Sequence, residues 1–251
     1  MSVLDGLATV LLVHAHPDDE TLTTGALAAE LVARGTRVFL LTASRGERGE
    51  VVAGPLSGLE GTEALAQERE DELRRAGDAL GLAGRFWLGE APARAGGQEP
   101  RRYRDSGMTW ISEGLAGPAA DAEADALAVA PLSEVTADLE ALIRHVRPTL
   151  VISYDQGGGY GHPDHVRMHE ATIAACRDTL TRCAEIVLAP APDAEWLDLE
   201  ARRAVTTAAL RCYRSQLTVT GDGRDIVHSG GQREAITVSI GLRTNSTEFV
   251  A

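Results

Sequence analysis

Residues 8–20 read ATVLLVHAHPDDE, an apolar run from Ala8 to Val13 that gives way to His14, His16, Pro17, Asp18, Asp19 and Glu20. A continuous apolar run of this length marks a strand buried on both faces, as in a parallel sheet. Similar runs occur at Arg37 to Thr42, Arg85 to Leu88, Leu150 to Tyr154 and Ile186 to Ala189. Helical patterns lie between them, at Thr21 to Arg34, Glu60 to Leu80, Ser133 to Val146 and Pro163 to Arg182. The alternation predicts one α/β domain over residues 1–251: a mainly parallel sheet with right-handed crossovers and helices on both faces.

Ligands of such a sheet bind outside the carboxyl ends of the strands, where strand-to-helix loops meet helix N-termini. HPDDE, at His16 to Glu20, falls at one such end, and GHPDH, at Gly161 to His165, follows the strand that begins at Leu150. Two clusters this far apart in sequence point to one shared site. His16, His165 and Asp19 make a three-ligand set with room for water, the pattern of a hydrolytic zinc site. Zinc lowers the pKa of bound water from about 16 to about 7. Asp18 is then the natural general base, and His162, outside the ligand count, the group that holds an oxyanion or protonates a leaving group.

A lone Asp before a helix is more often a cap than a ligand, but two carboxylates beside a histidine, echoed by HPDH, reverse that preference. His14 is expected to be structural and satisfied by the backbone, and His169 to lie behind or outside the ligand set. The glycines from Gly157 to Gly161 do not fit GxGxxG, and GxxxxGK[ST] does not occur, so no phosphate cradle is indicated. They are expected to let the loop fold closely over the metal. The same two-histidine, one-carboxylate donor set also describes a non-haem iron(II) oxygenase, in which Asp18 would have no task. A catalytically idle sugar-binding module is the other rival.

The chain has 24 basic and 37 acidic residues, a net charge of −13, which repels a phosphate backbone and argues against a nucleic-acid partner. Cys176, Cys183 and Cys212 form neither a disulfide framework nor a CxxC pair. With an acidic N-terminal segment and no apolar run long enough to span a bilayer, the reading is a cytoplasmic protein with no membrane partner; a homo-oligomer is left open. Gly89 to Ala130 breaks the alternation. Its centre, YRDSGM from Tyr103, is expected to be ordered, and Asp121 to Ala130 mobile. After Glu195 a helix is expected to about Leu217, then a turn region at Gly221 to Gly231 and a β-like segment at Ala235 to Leu242.

Beyond the two clusters, GERGEV at Gly46, the pair Arg69 and Glu72, YRDSGM at Tyr103, GGYGHPDHV at Gly158 and ALRCYRSQ at Ala209 make the sequence resemble the PIG-L (LmbE-like) zinc-dependent N-deacetylases. Within that family the likeness is greatest to the mycothiol-biosynthesis deacetylases acting on N-acetylglucosaminyl-inositol. The resemblance implies a Rossmann-like fold, removal of an acetyl group from a small amino-sugar substrate, and Zn2+, or Fe2+, as cofactor. It implies His16, Asp19 and His165 as ligands, Asp18 as base, His162 as acid or electrostatic stabiliser tuned by Asp164, and Tyr160 near the tetrahedral intermediate. It implies Arg69, Asp105 and Glu47 as substrate contacts. The chain departs from its relatives in CYRSQ, where Tyr213 takes the place of a histidine, and in a shorter segment before ALRCYRSQ. It also has Thr23 where the related mycothiol S-conjugate amidases, the alternative reading, tend to have lysine.

Overall fold

A computed structural model describes residues 2–112, 114–119, 121 and 123–244. The leading apolar run forms β1 (Thr9–His14) and feeds α1 (Asp19–Ala33), followed by β2 (Arg37–Thr42), α2 (Glu63–Leu80) and β3 (Gly84–Trp87). A hairpin of β4 (Met108–Ser112) and β5 (Leu115–Pro118) precedes α3 (Leu132–Val146) and β6 (Leu150–Ser153). The helical turn α4 (Gly158–Gly161) leads into α5 (Pro163–Asp178) and β7 (Cys183–Val187). The remainder comprises β8 (Glu195–Asp198), α6 (Arg203–Leu210), β9 (Leu217–Val219), β10 (Asp225–His228), β11 (Arg233–Ala235) and β12 (Ser239–Thr244).

The main sheet has the order β3-β2-β1-β6-β7-β12-β8, parallel from β3 to β7 with β12 antiparallel to both neighbours. The Rossmann-like, mainly parallel sheet is therefore present. Side chains of β1 alternate between two cores: Val10 and Leu12 pack with Leu27 and Leu31 of α1, Leu73 of α2 and Leu210 of α6. Leu11 and Val13 pack with Leu139 and Leu142 of α3 and Met168 and Ala171 of α5. This period of two buries both faces of the strand, which is why its sequence reads as continuous rather than alternating. The strand order reverses between β1 and β6, and ligands of open α/β sheets bind at such a switch point.

Three expectations are corrected. The helix after Glu195 begins only at Arg203, behind a short 3-10 turn; Glu195–Asp198 is instead a strand on the sheet edge. Its pairing with β12, and the Ser2 hydroxyl and Val3 N–H that donate to Glu195 at 2.6 Å, override local helix propensity. Helix α5 stops at Asp178, because Leu180 adopts a left-handed φ of 55° and β7 must start at Cys183 to pair with Val151. Finally, the stretch from Asp121 to Ala130 is anchored where it is described. Ala126, Leu127 and Ala130 are buried, and Leu127 N–H donates to the Arg104 carbonyl at 2.8 Å.

Candidate metal and catalytic site

HPDDE leaves the carboxyl end of β1 and GHPDH opens α5 beside β6, so the switch point brings the two clusters together. Asp18 occupies the position before α1 with φ 106° and ψ −35°, and its side chain makes no capping bond. A non-glycine residue held at such angles costs on the order of 1–3 kcal/mol and persists only where its surroundings impose it. Here Arg69 spans the loop, donating to the carbonyls of Gly46 (2.7 Å) and Pro17 and to Asp18 Oδ2 (3.1 Å). Gly46 makes this crossing feasible, since a Cβ there would lie 2.1 Å from the guanidinium. From the other side the Asp18 N–H donates to Glu20 Oε2 at 3.1 Å. Pro17 precedes this N-cap position.

Hydrogen bonds assign the lone pairs of the three clustered histidines. With a cation bound, the ring nitrogen that faces an acceptor outside the ligand set keeps its proton, which leaves the other nitrogen to ligate. His16 Nε2 lies 3.1 Å from Asp164 Oδ2, leaving Nδ1 free, 3.3 Å from Asp19 Oδ2. His165 Nδ1 lies 3.1 Å from the Gly158 carbonyl, leaving Nε2 free, again 3.3 Å from Asp19 Oδ2. His162 is the reverse case: its Nδ1 accepts the Asp164 N–H at 3.2 Å, so its proton sits on Nε2. Burial first, then the neighbouring His16 and His165, lowers His162 to about 3, so the ring is neutral and Nε2 is a donor.

Ring nitrogens of His16, His162 and His165 lie within 4.8 Å of one another, as do donor atoms of His16, Asp105, His162 and Asp164. Proximity alone would thus choose His162 over Asp19. The tautomers argue otherwise, because a His162 that already accepts at Nδ1 would have to give up its one ring proton, at Nε2, to ligate. Two donors on one tetrahedral ion with bonds of about 2.0–2.1 Å stand about 3.3–3.4 Å apart, the spacing of Asp19 from each ring. His165 Nε2 is also a buried atom without a hydrogen-bond partner, as a ligand position requires. The residues present therefore fit a divalent cation held by His16, Asp19 and His165.

Without a cation, a proton on His16 balances the carboxylates around it, and a bound cation would displace that proton. Burial opposes ionisation of Asp19, yet His165 and His16 hold its carboxyl well below the usual range. Burial likewise opposes charge on His16, but Asp105, Asp164 and Asp19 outweigh it and raise its pKa well above 6.5. Asp18, outside the donor set, is pushed up to about 6 by burial against the pull of Arg69, with the Asp19 charge adding to the rise.

The remaining expected residues are gathered less uniformly. The Asp164 carboxylate does not bond the His162 ring it was expected to tune; it binds His16 Nε2 and accepts from the Ser106 N–H (2.9 Å) and hydroxyl. Its backbone N–H donates to His162, and its charge acts on that ring through space, opposing the fall in pKa. Tyr160 is partly buried, with its ring 5.1 Å from His165 and 6.1 Å from His162. Asp105 Oδ1 lies 3.7 Å from His16 Nε2 and accepts the Gly107 N–H at 2.8 Å. Glu47 is buried, paired to Arg102 at 2.8 Å and accepting the Asp105 N–H at 3.1 Å. Glu47, Arg48, Glu63, Arg104 and Asp105 line a cleft of about 450 Å3. A separate hollow of about 400 Å3, between Val52–Leu56 and Arg211–Val219, contains none of the site residues.

Three side chains at the site escaped the sequence reading. Ser106 lies within YRDSGM but drew no role of its own. Tyr154, read as the end of a strand, donates to Asp19 Oδ2 at 2.7 Å. Glu20, buried and pushed up to about 7 by that burial, is bonded by the hydroxyls of Thr21 and Tyr213. Tyr213 thus has a partner in the motif itself, and its substitution for histidine in CYRSQ was the available signal. His14 is structural as expected, but side chains rather than backbone satisfy it: Thr24 at 2.9 Å and Tyr154 at 3.3 Å.

Comparison with known proteins places this geometry. The chain is 46% identical over 172 residues to a 1D-myo-inositol 2-acetamido-2-deoxy-alpha-D-glucopyranoside deacetylase of Kineococcus radiotolerans, a match covering 68% of the chain and 45% of that protein. It is 34% identical to the protein of the same description from Mycolicibacterium vanbaalenii, covering 96% of the chain and 89% of the relative. For the first two curated relatives, the match spans about half of their length, 45% and 52%. A deacetylase solved in complex with teicoplanin superposes with a TM-score of 0.61 at 18% identity, over 95% of this chain and 99% of that one, a likeness of fold alone. The profile of the GlcNAc-PI de-N-acetylases matches residues 11–176, a span that runs from β1 through HPDDE and GHPDH, and the chain belongs to this family, PIG-L.

Proposed function

We propose that the protein is a zinc-dependent N-deacetylase that hydrolyses the acetamide of a small glucosamine-containing substrate of the N-acetylglucosaminyl-inositol type, releasing acetate and a free amine. The observation that carries this reading is the division of labour between adjacent aspartates: Asp19 Oδ2 stands 3.3 Å from both His16 Nδ1 and His165 Nε2, while Asp18 lies outside that set with its pKa pushed up to about 6. Hydrolysis needs that second carboxylate. His16 Nδ1, Asp19 and His165 Nε2 would hold the ion, which when bound polarises the acetyl carbonyl and acidifies water.

The chain's own groups carry the protons. Asp18 accepts one proton from water as the new C–O bond forms. The Nε2–H of His162 donates to the developing oxyanion, a contribution worth about 3–4 kcal/mol where such donors have been removed. Tyr160 lies on the same side as His162 and His165 and can approach that oxygen. When the C–N bond breaks, the leaving nitrogen takes the proton that Asp18 accepted, because a neutral His162 offers a hydrogen bond but has no proton to give up. Arg69 keeps the Asp18 carboxylate aimed inward, and the cleft beside Asp105 and Glu47 is of a size usual for small-molecule sites and offers carboxylates to sugar hydroxyls.

Acetate release from N-acetylglucosaminyl-inositol, N-acetylglucosamine and mycothiol conjugates, measured with protein loaded with zinc or iron(II), tests the reading and its substrate; no release from any of them rejects it. Asp18→Ala is expected to keep its metal and lose turnover by about three orders of magnitude or more. Activity near wild type would remove Asp18 as the base. His165→Ala is expected to lose zinc on dialysis, and an unchanged stoichiometry would strike it from the ligand set.

A further inference from the structure

Tyr154 stands directly after β6 and is 4% exposed. A buried tyrosine usually fills space and finds one partner for its hydroxyl. This one has both hydroxyl functions committed to the loop that bears HPDDE. Its O–H donates to Asp19 Oδ2 at 2.7 Å, and its oxygen accepts the Ala15 N–H at 2.8 Å. The ring meanwhile lies flat on the His165 imidazole, with centroids 4.2 Å apart and planes within 9°. Its carbonyl in turn lies 3.0 Å from His169 Nδ1. One side chain therefore touches the carboxylate from the first cluster and the imidazole from the second.

We propose that Tyr154 is a positioning residue for the metal site, fixing the Asp19 carboxylate and the His165 ring plane before the ion arrives. The consequence is preorganisation. The His16 N–H also donates to Asp19 Oδ2, at 2.8 Å, and the Gly158 carbonyl holds one edge of the His165 ring; the hydroxyl adds a second bond that fixes the carboxylate's rotation, and the stacked ring limits the tilt that the single hydrogen bond leaves to the imidazole. Groups that orient metal ligands typically change affinity by about 10–100-fold when removed.

The inference rests on Asp19 and His165 being ligands, and its test uses zinc alone, without substrate. Tyr154→Phe keeps the ring and removes the O–H, and is expected to weaken zinc binding, read by competition with a chromophoric chelator, by about 10–100-fold. Cobalt(II) bound in place of zinc is expected to show a shifted d–d spectrum in the variant. A folded Tyr154→Phe protein with zinc affinity within about twofold of wild type and an unaltered cobalt spectrum would overturn the proposal.

Loss of the Ala15 partner will also reduce stability, so a second measurement avoids the deletion. With 3-fluorotyrosine at position 154, which retains the O–H, the fluorine resonance is expected to move and saturate at stoichiometric zinc. A resonance indifferent to zinc refutes the role. If His165→Ala retains zinc, the ligand assignment itself has failed; if it loses zinc while Tyr154→Phe does not, only the positioning role has.

Discussion

Asp18 carries the sharpest residue-scale expectation. As a base it works only when ionised, so kcat/KM falls as the pH drops through its pKa, about 6 in the metal-free site and lower beside a bound dication. Arg69 donates to Asp18 and favours its charged form, so removing that guanidinium raises the pKa. Arg69→Gln is therefore expected to move the acid limb of the pH–rate profile to higher pH, with a smaller loss at pH 8 than at pH 6. A limb that stays in place would separate Arg69 from the base. Much of the site was legible at this scale, because HPDDE and GHPDH concentrate unlike functional groups into five residues each. What was not legible are partners set by the fold: Tyr213 reaches Glu20 across 193 positions, and Tyr154 reaches Asp19 across 135. A tyrosine closing an apolar strand looks like core until its hydroxyl is seen to have somewhere to go.

At the scale of elements, the loop that delivers His165 depends on Gly158. Its φ is 61°, and a Cβ there would lie 2.9 Å from both His165 Cβ and Val166 N. The Gly158 carbonyl also accepts from His165 Nδ1 and so fixes which nitrogen faces Asp19. Gly158→Ala is expected to cost about 1–3 kcal/mol in denaturant unfolding and to lower bound zinc, since strain and overpacking both fall on the ligand. Full zinc occupancy at unchanged stability would show that the loop has more room than these contacts allow. The long helices and four of the five parallel strands were readable because each carries its own apolar pattern, whereas β7 begins three residues before the Ile186 to Ala189 run, at Cys183, where it pairs with Val151. The short strands β8, β9 and β11 were not. Three or four residues hold too little pattern to outweigh what they pair with, and Glu195–Asp198 became a strand because β12 lay beside it.

For the molecule as a whole, the first cluster lies on the β1 side of the switch point and the second on the β6 side, so the donor set exists only when the central sheet is closed. Zinc that binds this form and not the unfolded chain adds about 2.7 kcal/mol at a hundredfold excess over Kd. The thermal midpoint is accordingly expected to climb with free zinc and fall on chelation. Asp18→Ala should retain this dependence, and His165→Ala should lose it; equal midpoints with and without metal in the wild type would separate the site from the fold. His16 and Asp164 are 148 residues apart in sequence, so an ion between the two clusters fastens a very long loop. Such a fastening resembles a disulfide in what it takes from the unfolded chain, but it comes undone with metal supply rather than with redox state. If the proposed ligand set holds its ion in the cell, a metal-starved cell would clear this protein sooner, since a chain that opens more often is degraded more often, and its abundance would follow metal supply.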